Sequence, residues 1–309
     1  MEDSTVQVVV SGSTGLVGRA LCEELLKSGH TVRPLVRDTS SAPAGSIPWD
    51  PARDQLDGAA LDGVDAVVHL AGEPIAAGRW NAARKARIRD SRVAGTQLLA
   101  ERLAGLSQRP GVLVSASAIG FYGDQGDAVV TEDTPAGQGF LAEVCQGWEA
   151  AAAPAADAGI RVVHPRIGMV LSERGGALSK MLPPFRMGMG GPIGRGAMWM
   201  SWIHLEDLVR ALIHMIETPE LAGPVNALAP NPVTNRDFTR ALGSVLRRPA
   251  VIPVPETALK FALGEMAEEL VLSSLRAVPS RLEGSGFAFK FPEVEAALRD
   301  LLSGSEAKA

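Results

Sequence analysis

Residues 6–30 read VQVVVSGSTGLVGRALCEELLKSGH. Val6–Val10 is a short apolar run rich in β-branched side chains, the composition of a strand buried on both faces. From Leu16 onward apolar residues recur at helical spacing, and Gly29 stops the helix. Between strand and helix stand Gly12, Gly15 and Gly18, three glycines at three-residue intervals. Gly12 permits the tight turn. Gly15 lets the backbone approach a pyrophosphate, and Gly18 lets the helix pack close to the strand. The helix N-terminus offers free N–H groups and a positive dipole end to phosphates. The whole stretch Gly12, Ser13, Thr14, Gly15, Leu16, Val17 and Gly18 is therefore assigned to cofactor binding.

The pattern continues outward as alternating strands and helices. TVRPLVR, DAVVHLAG, GVLVSASA and IRVVHPRIGMVL read as strands. SRVAGTQLLAERLAGL and FLAEVCQGWEAAAAPAADAG read as helices. Such alternation means βαβ units and a doubly wound parallel sheet of α/β class. Residues 174–200, rich in Gly, Pro and Met, read as a long surface loop, the kind that is often functional. SWIHLEDLVRALIHMIE returns to strand then helix, and NPVTNRDFTRALGSVLRRP starts a helix capped by Thr234 or Asn235. Residues 1–170 form the expected nucleotide-binding domain, with 200–216 returning to it. Residues 171–309 form a substrate or lid region ending in helices. The tail from Ser303 reads as frayed.

Where the second strand ends, the chain selects its cofactor. An acidic residue there favours NAD through the ribose 2′-OH. This chain has Arg37, with Arg33 nearby, and arginine pairs a 2′-phosphate bidentately. NADP(H) is the expected cofactor. A shift of one residue in the strand end would instead put Asp38 in the selecting position.

Composition closes off other classes. The chain has 309 residues, 46% hydrophobic and 21% charged, with formal net charge −5 and 5% aromatics. An acidic, aromatic-poor chain argues against a nucleic-acid partner. No apolar run reaches the length of a membrane span, and MEDSTVQVVVSG lacks the features of a secretory signal, so a cytoplasmic protein is expected. Cys22 and Cys145 lie far apart and read as free thiols of a reducing compartment. The five histidines have no metal-ligand spacing, so no metal is expected.

SGSTGLVG, VVHLAGEPI, SASAIGFYG and SWIHLEDLVRAL resemble successive signatures of the extended short-chain dehydrogenase/reductase superfamily. RWNAARKARIRDSRVAGT, FLAEVCQGWEAAA, GMVLSERGGALSKMLPPFRMGMGGPIG and APNPVTN are similar to one atypical branch of it, the epimerase family protein group. Some members of that group carry a cell-division-inhibitor name, and it ends in a small C-terminal domain of unknown function. The resemblance implies a Rossmann-like fold and NADP(H) binding. It implies that Asp50 contacts the adenine and that His69, Leu70, Ala71 and Gly72 pass under the cofactor ribose. Ser115 and Ser117 fall at the carboxyl edge of a central strand. Ser117 matches the superfamily's catalytic serine or threonine, with a one-residue insertion before Tyr122. Arg166 falls beside the nicotinamide. Arg92 replaces an asparagine close to the cofactor, and with Arg186 and Arg195 it would suit an anionic small-molecule substrate.

The superfamily's tyrosine and lysine belong on the helix FLAEVCQGWEAAA. With Glu149 as the acidic end of the motif, their positions hold Leu141 and Cys145, and a shift of one gives Phe140 and Val144. Neither register supplies an ionisable pair. Tyr122, the chain's only tyrosine, matches a structural or substrate-facing element. A phenol has a pKa of about 10, and the missing lysine is what normally brings it toward working pH. Glu143 is the leading substitute acid, with Asp124 and Glu132 as others. Two functions stay open: an NADP(H)-dependent oxidoreductase or epimerase-like enzyme with a non-standard acid, and a non-catalytic NADP(H)-binding regulator acting through a protein partner, linked to cell division.

Overall fold

The computed structural model describes residues 5–38, 40 and 42–303; beyond Ser303 the tail lies outside the described residues. The N-terminal half runs β1 (Gln7–Ser11), α1 (Leu16–Lys27), β2 (Thr31–Val36), β3 (Ile47–Asp50), β4 (Gln55–Leu56), β5 (Ala66–His69), α2 (Ala82–Ala104), β6 (Val112–Ser115), β7 (Ser117–Ala118), β8 (Val129–Val130), α3 (Phe140–Ala150), α4 (Ala153–Asp157) and β9 (Arg161–Ile167). The rest runs β10 (Met169–Leu171), α5 (Gly176–Arg186), β11 (Trp199–Met200), β12 (Trp202–His204), α6 (Leu205–Glu217), β13 (Gly223–Ala227), β14 (Val233–Thr234), α7 (Asn235–Leu246), α8 (Glu256–Leu263), β15 (Arg276–Ala277), α9 (Ser280–Gly284) and α10 (Val294–Ser303).

The main sheet has the order β13–β9–β6–β5–β1–β2–β3–β4, with β7 also pairing β9. Its pairs are parallel except β3 with β4. The chain leaves β1 toward β2 and β3, then crosses to β5 on the other side. That reversal between β1 and β5 is the switch point at which such sheets bind ligands. In register, Ser11 stands beside His69 and His69 beside Ser115, so one polar row ends three neighbouring strands.

Both sheet faces are covered, which explains why the central strands are apolar at successive positions, as in Val8–Val10, Ala66–Val68 and Val112–Val114. Val8, Val10, Val68, Val114 and Val163 pack against Leu21 and Leu25 of α1 and Leu208 and Leu212 of α6. Val9, Val67 and Leu113 on the other face meet Leu98, Leu99 and Leu103 of α2. The return of the chain to the sheet extends past residue 216, because β13 adds its outermost strand.

Residues 174–200 are not one loop. They contain α5, whose Leu178, Leu182 and Phe185 bury at helical spacing against α7 and α10. Pro183 and Pro184 sit in that helix on positions that avoid the core, so the apolar period overrides the breaker signal. At α7, Thr234 is the cap: its hydroxyl accepts from the Asp237 amide at 3.2 Å.

Candidate nucleotide site and active site

The three glycines of the first turn are glycine for different reasons. Gly12 has φ +69°, and a Cβ there would lie 2.8–2.9 Å from the backbone of Leu70 and Ala71. A Cβ on Gly18 would run into the carbonyl oxygen of Gly12. Gly15 differs. It caps α1 at φ −73°, which any residue adopts, it is exposed, and its Cβ would meet only the Gly12 oxygen at 3.3 Å. The fold itself demands Gly12 and Gly18. Gly15 is not held to glycine by its own backbone conformation or by a comparable clash. The α1 N-terminus beside it has no side-chain cap, so its amides remain free for an anion.

Ser11 fastens the loop to the end of β5. Its buried hydroxyl accepts from the amides of Leu70 at 3.1 Å and Ala71 at 3.2 Å, and stands 2.6 Å from His69 Nδ1. Two N–H donors fill its lone pairs, so its proton goes to Nδ1 and His69 carries its hydrogen on Nε2. Burial, reinforced by the Arg92 guanidinium, pushes the imidazole down to about 4, and it stays neutral. The His69 ring packs edge-on against Trp49. His69 is thus a support behind the strand, while Leu70 and Ala71, just past the end of β5, are half-buried and Gly72 is exposed. A Cβ on Gly72 would sit 3.2 Å from the Arg92 guanidinium carbon.

Beyond β2, Arg37 is exposed. Asp38 turns back instead, and its carboxylate accepts from the Ser40 amide at 2.8 Å. Asp50, at the end of β3, accepts from the Ala52 amide at 3.1 Å and lies 3.5 Å from Arg53 Nε.

The polar centre lies where β7 pairs β9. Ser117 Oγ donates to Glu149 Oε1 at 2.7 Å. Arg166 grips the same carboxylate bidentately, Nε to Oε1 at 2.8 Å and Nη2 to Oε2 at 2.9 Å. Arg166 Nη1 donates to the Tyr122 hydroxyl at 2.9 Å, and that hydroxyl donates to Asn226 Oδ1 at 2.7 Å. The guanidinium also lies over the Phe121 ring, 3.5 Å from its centroid. Burial raises the Tyr122 phenol above its ordinary value although the Arg166 contact opposes it. Tyr122 is 0% exposed, so it is wall. Arg166, expected beside the nicotinamide, is 3% exposed and has its guanidinium spent on Glu149, Tyr122 and Phe121.

Ser115 is fully buried and its Oγ has no hydrogen-bond partner, an orphan at the end of β6 beside His69. Cys145 of α3 approaches Ser117 and the Ala118 backbone, and burial pushes its thiol up to about 11. Leu141 and Cys145 also flank Gly120, 3.2 and 3.9 Å from where its Cβ would be. The α3 sequence FLAEVCQGWEA holds neither tyrosine nor lysine. Glu143, the expected substitute acid, is exposed on α3 while Leu141, Cys145 and Trp148 face inward. The carboxylate that meets Ser117 is Glu149, six residues on from Glu143 and so on a different face of α3. Its signal in the sequence was a charge set one residue after a buried tryptophan.

Arg92 donates from Nη1 to the carbonyls of Glu73 and Ile88, both at 3.0 Å, and its guanidinium lies 5.0 Å from the Trp148 ring centroid. The C-terminal region closes over this end. Glu269 accepts from the amides of Phe140 and Leu141, each at 2.8 Å, and so caps α3, while Lys85 pairs with Glu265 at 2.6 Å. Arg186 and Arg195 lie instead beside α7, their carbonyls accepting from Arg248 and Arg236.

A family model described as the NAD dependent epimerase/dehydratase family matches residues 8–227. The chain belongs to that family. Residues 254–301 match a domain of unknown function, DUF1731. An epimerase family protein of Mycobacterium bovis is 45% identical over 293 residues, covering 94% of this chain and 96% of the relative. Human epimerase family protein SDR39U1, crystallised with NADPH, is 35% identical with a TM-score of 0.88, over 96% of this chain and 99% of that one. A nucleoside-diphosphate sugar epimerase from Corynebacterium glutamicum is 41% identical with a TM-score of 0.80, over 97% of this chain and 59% of that one. Among the described residues no helix is long and apolar enough to cross a membrane, and no group of acidic, histidine or cysteine side chains could hold a metal ion.

Proposed function

We propose that this epimerase family member binds NADP(H) at the β1/β5 switch point and acts as an oxidoreductase or epimerase-like enzyme of the cytoplasm. The observation that carries the reading is Gly15, a glycine pressed only by the Gly12 oxygen at 3.3 Å and placed where a pyrophosphate would meet free helix amides. The NADPH in the human relative supports it. The loop from Gly12 to Gly18 would hold the pyrophosphate. Arg37 would pair the 2′-phosphate, since Asp38 is engaged with Ser40. Asp50 would face the adenine, and Leu70–Gly72 the ribose. The nicotinamide, when bound, supplies hydride transfer.

The chain's own residues set the rest. Ser117 gives its proton to the Glu149 carboxylate, which Arg166 grips bidentately, so the hydroxyl can only accept from a substrate hydroxyl or water. Ser115 and Arg92 complete the polar lining, and Arg92 suits an anionic small molecule. We assign residues from 171 onward, apart from the segment that rejoins the sheet, to the substrate and lid region. Calorimetric titration with NADPH tests the binding, and NADPH consumption over a panel of sugar nucleotides and carbonyl compounds tests the chemistry. Failure to bind NADPH refutes the whole reading.

A second reading, an NADP(H)-binding regulator that works through a protein partner, is favoured by one observation. Every proton near Ser117 is committed: to Glu149, to Asn226, or on a thiol of raised pKa. No turnover across the panel, with NADPH bound, decides for it.

A further inference from the structure

A second cleft opens on the C-terminal lobe, lined by none of the residues assigned above to the nucleotide site. It measures about 740 Å³ and is walled by α7, Pro192 and Pro249–Val251. That volume is within the range of small-molecule sites, roughly 300–1,000 Å³. Its charge is at odds with the acidic chain. Arg236, Arg240, Arg247 and Arg248 line it, against a single acidic residue, Asp237, in the same stretch. Arg236, Arg240 and Arg247 follow one another at helical intervals and share a face.

Asp237 is taken by Arg240 at 3.2 Å. Among the described residues no carboxylate lies within 4.0 Å of Arg236, Arg247 or Arg248. Backbone carbonyls fix two of them instead: Arg236 Nη2 donates to Arg195 O at 2.7 Å and Arg248 Nε to Arg186 O at 3.1 Å. Each therefore presents its remaining donors from a held position. Thr239, 2% exposed, also lines the cleft, and its Oγ1 has no hydrogen-bond partner. The opposite wall is tied down by Ile252 N to Gly190 O at 3.1 Å and Val254 N to Pro192 O at 2.8 Å.

Arg247 adds an independent sign. It caps α7 at φ +51°, one of two described non-glycine residues with positive φ. Glycine is the usual residue at such a helix end, and strained positions that keep a functional side chain cluster at ligand sites. We infer that this cleft binds the phosphate or pyrophosphate group of a small ligand, separately from the nucleotide crevice. Guanidinium forks match phosphate oxygens two at a time, and the buried Thr239 hydroxyl supplies a further polar contact.

Titration calorimetry with inorganic phosphate, inorganic pyrophosphate and ADP tests this, on the full chain and on Gly15→Val, which disables the crevice loop. Pyrophosphate binding is expected in both, falling at least tenfold in Arg247→Gly and in Arg236→Gln. Tighter binding of ADP than of pyrophosphate identifies a nucleotide as the ligand, and the reverse identifies the bare anion; both support the site. Arg247→Gly is expected to melt at the same or a higher temperature, because glycine takes the left-handed cap freely. Arg236→Gln gives a second reading that leaves the cap untouched. The inference is overturned if millimolar phosphate, pyrophosphate and ADP all fail to bind the parent. It is equally overturned if binding vanishes in Gly15→Val and survives both arginine variants.

Discussion

Alanine placed separately at Gly12, Gly15 and Gly18 should give three different proteins. At Gly18 the new methyl enters the Gly12 carbonyl and comes within 2.9 Å of Ser13 Cα. Backbone cannot swing aside as a side chain does, so overpacking of about 1–3 kcal/mol or more is expected. At Gly12 the left-handed conformation alone costs an L-residue about 1–2 kcal/mol, and the 2.8 Å contact with Leu70 adds to it. At Gly15 the backbone is permissive, and removing glycine from the unfolded chain contributes about 0.4–1 kcal/mol of stability, offset by the 3.3 Å contact to Gly12 O. Gly15→Ala and Gly15→Val should therefore melt near the parent, while the other two fall well below it. Ligand linkage supplies the second readout. NADPH at a hundredfold its dissociation constant stabilises the folded parent by about 2.7 kcal/mol. At roughly 2–4 °C per kcal/mol for a protein approaching this size, that is a rise of about 5–10 °C. In Gly15→Val the rise should vanish. Thermal melts with and without NADPH decide the matter. A Gly15→Val protein that keeps the full NADPH shift, or one that melts as low as Gly18→Ala, refutes the assignment of Gly15 to the ligand.

Arg37→Ala should weaken NADPH by about 1.5–3 kcal/mol, the scale of a hydrogen bond to a charged group, and leave NADH unchanged by calorimetry; equal losses for both would return the selection to Asp38. Tyr122→Phe strips Asn226 Oδ1 of its donor and Arg166 of an acceptor, so chemical denaturation should show a loss of about 1–3 kcal/mol, while any measured turnover falls less than tenfold. Glu143→Gln should leave turnover untouched, and a rate loss of a hundredfold or more, the scale of a lost general acid, would restore it as one. For His69 the folded pKa is below the unfolded one, so the unfolded chain binds the extra proton and stability falls as pH drops from about 6.5 toward about 4. At 1.36 kcal/mol per unit the loss approaches about 3 kcal/mol. His69→Asn should flatten that slope, and an unchanged slope would assign the acid sensitivity elsewhere.

The parallel sheet and its phosphate loop were legible because they rest on local rules: apolar strands, helical period and glycines at fixed intervals. Those signals are carried by neighbours in sequence. The Ser117–Glu149–Arg166–Tyr122 network was not legible as a whole, because its members come from β7, α3, β9 and the turn after β7. The sequence marked Ser117 and Arg166 one at a time, but not that both would converge on Glu149. The sequence points to Glu143 as the acid and not to Glu149, since only the packing of α3 says which of its faces is wet. The α5 helix hid behind Pro183 and Pro184, whose local cost is outweighed by burying Leu178, Leu182 and Phe185. Ser11 carried no signal at all; its hydroxyl matters because β1 and β5 are adjacent in space.

The late arrival of β13 bears on how the chain is made. About 60 residues separate the end of β9 from the end of β13, and at about 5–20 residues per second synthesis takes roughly 3–12 s to deliver them. Throughout that interval β9 presents an unpaired edge, and until Glu217 is made the α1 face lacks α6. A nascent chain stalled there would carry a sticky, half-dressed sheet, the kind of surface that recruits like strands. Expression of residues 1–170 alone should yield aggregates, while the full chain should yield soluble protein. The nucleotide loop, finished within the first twenty residues, therefore waits on the second half of translation before it has a stable platform.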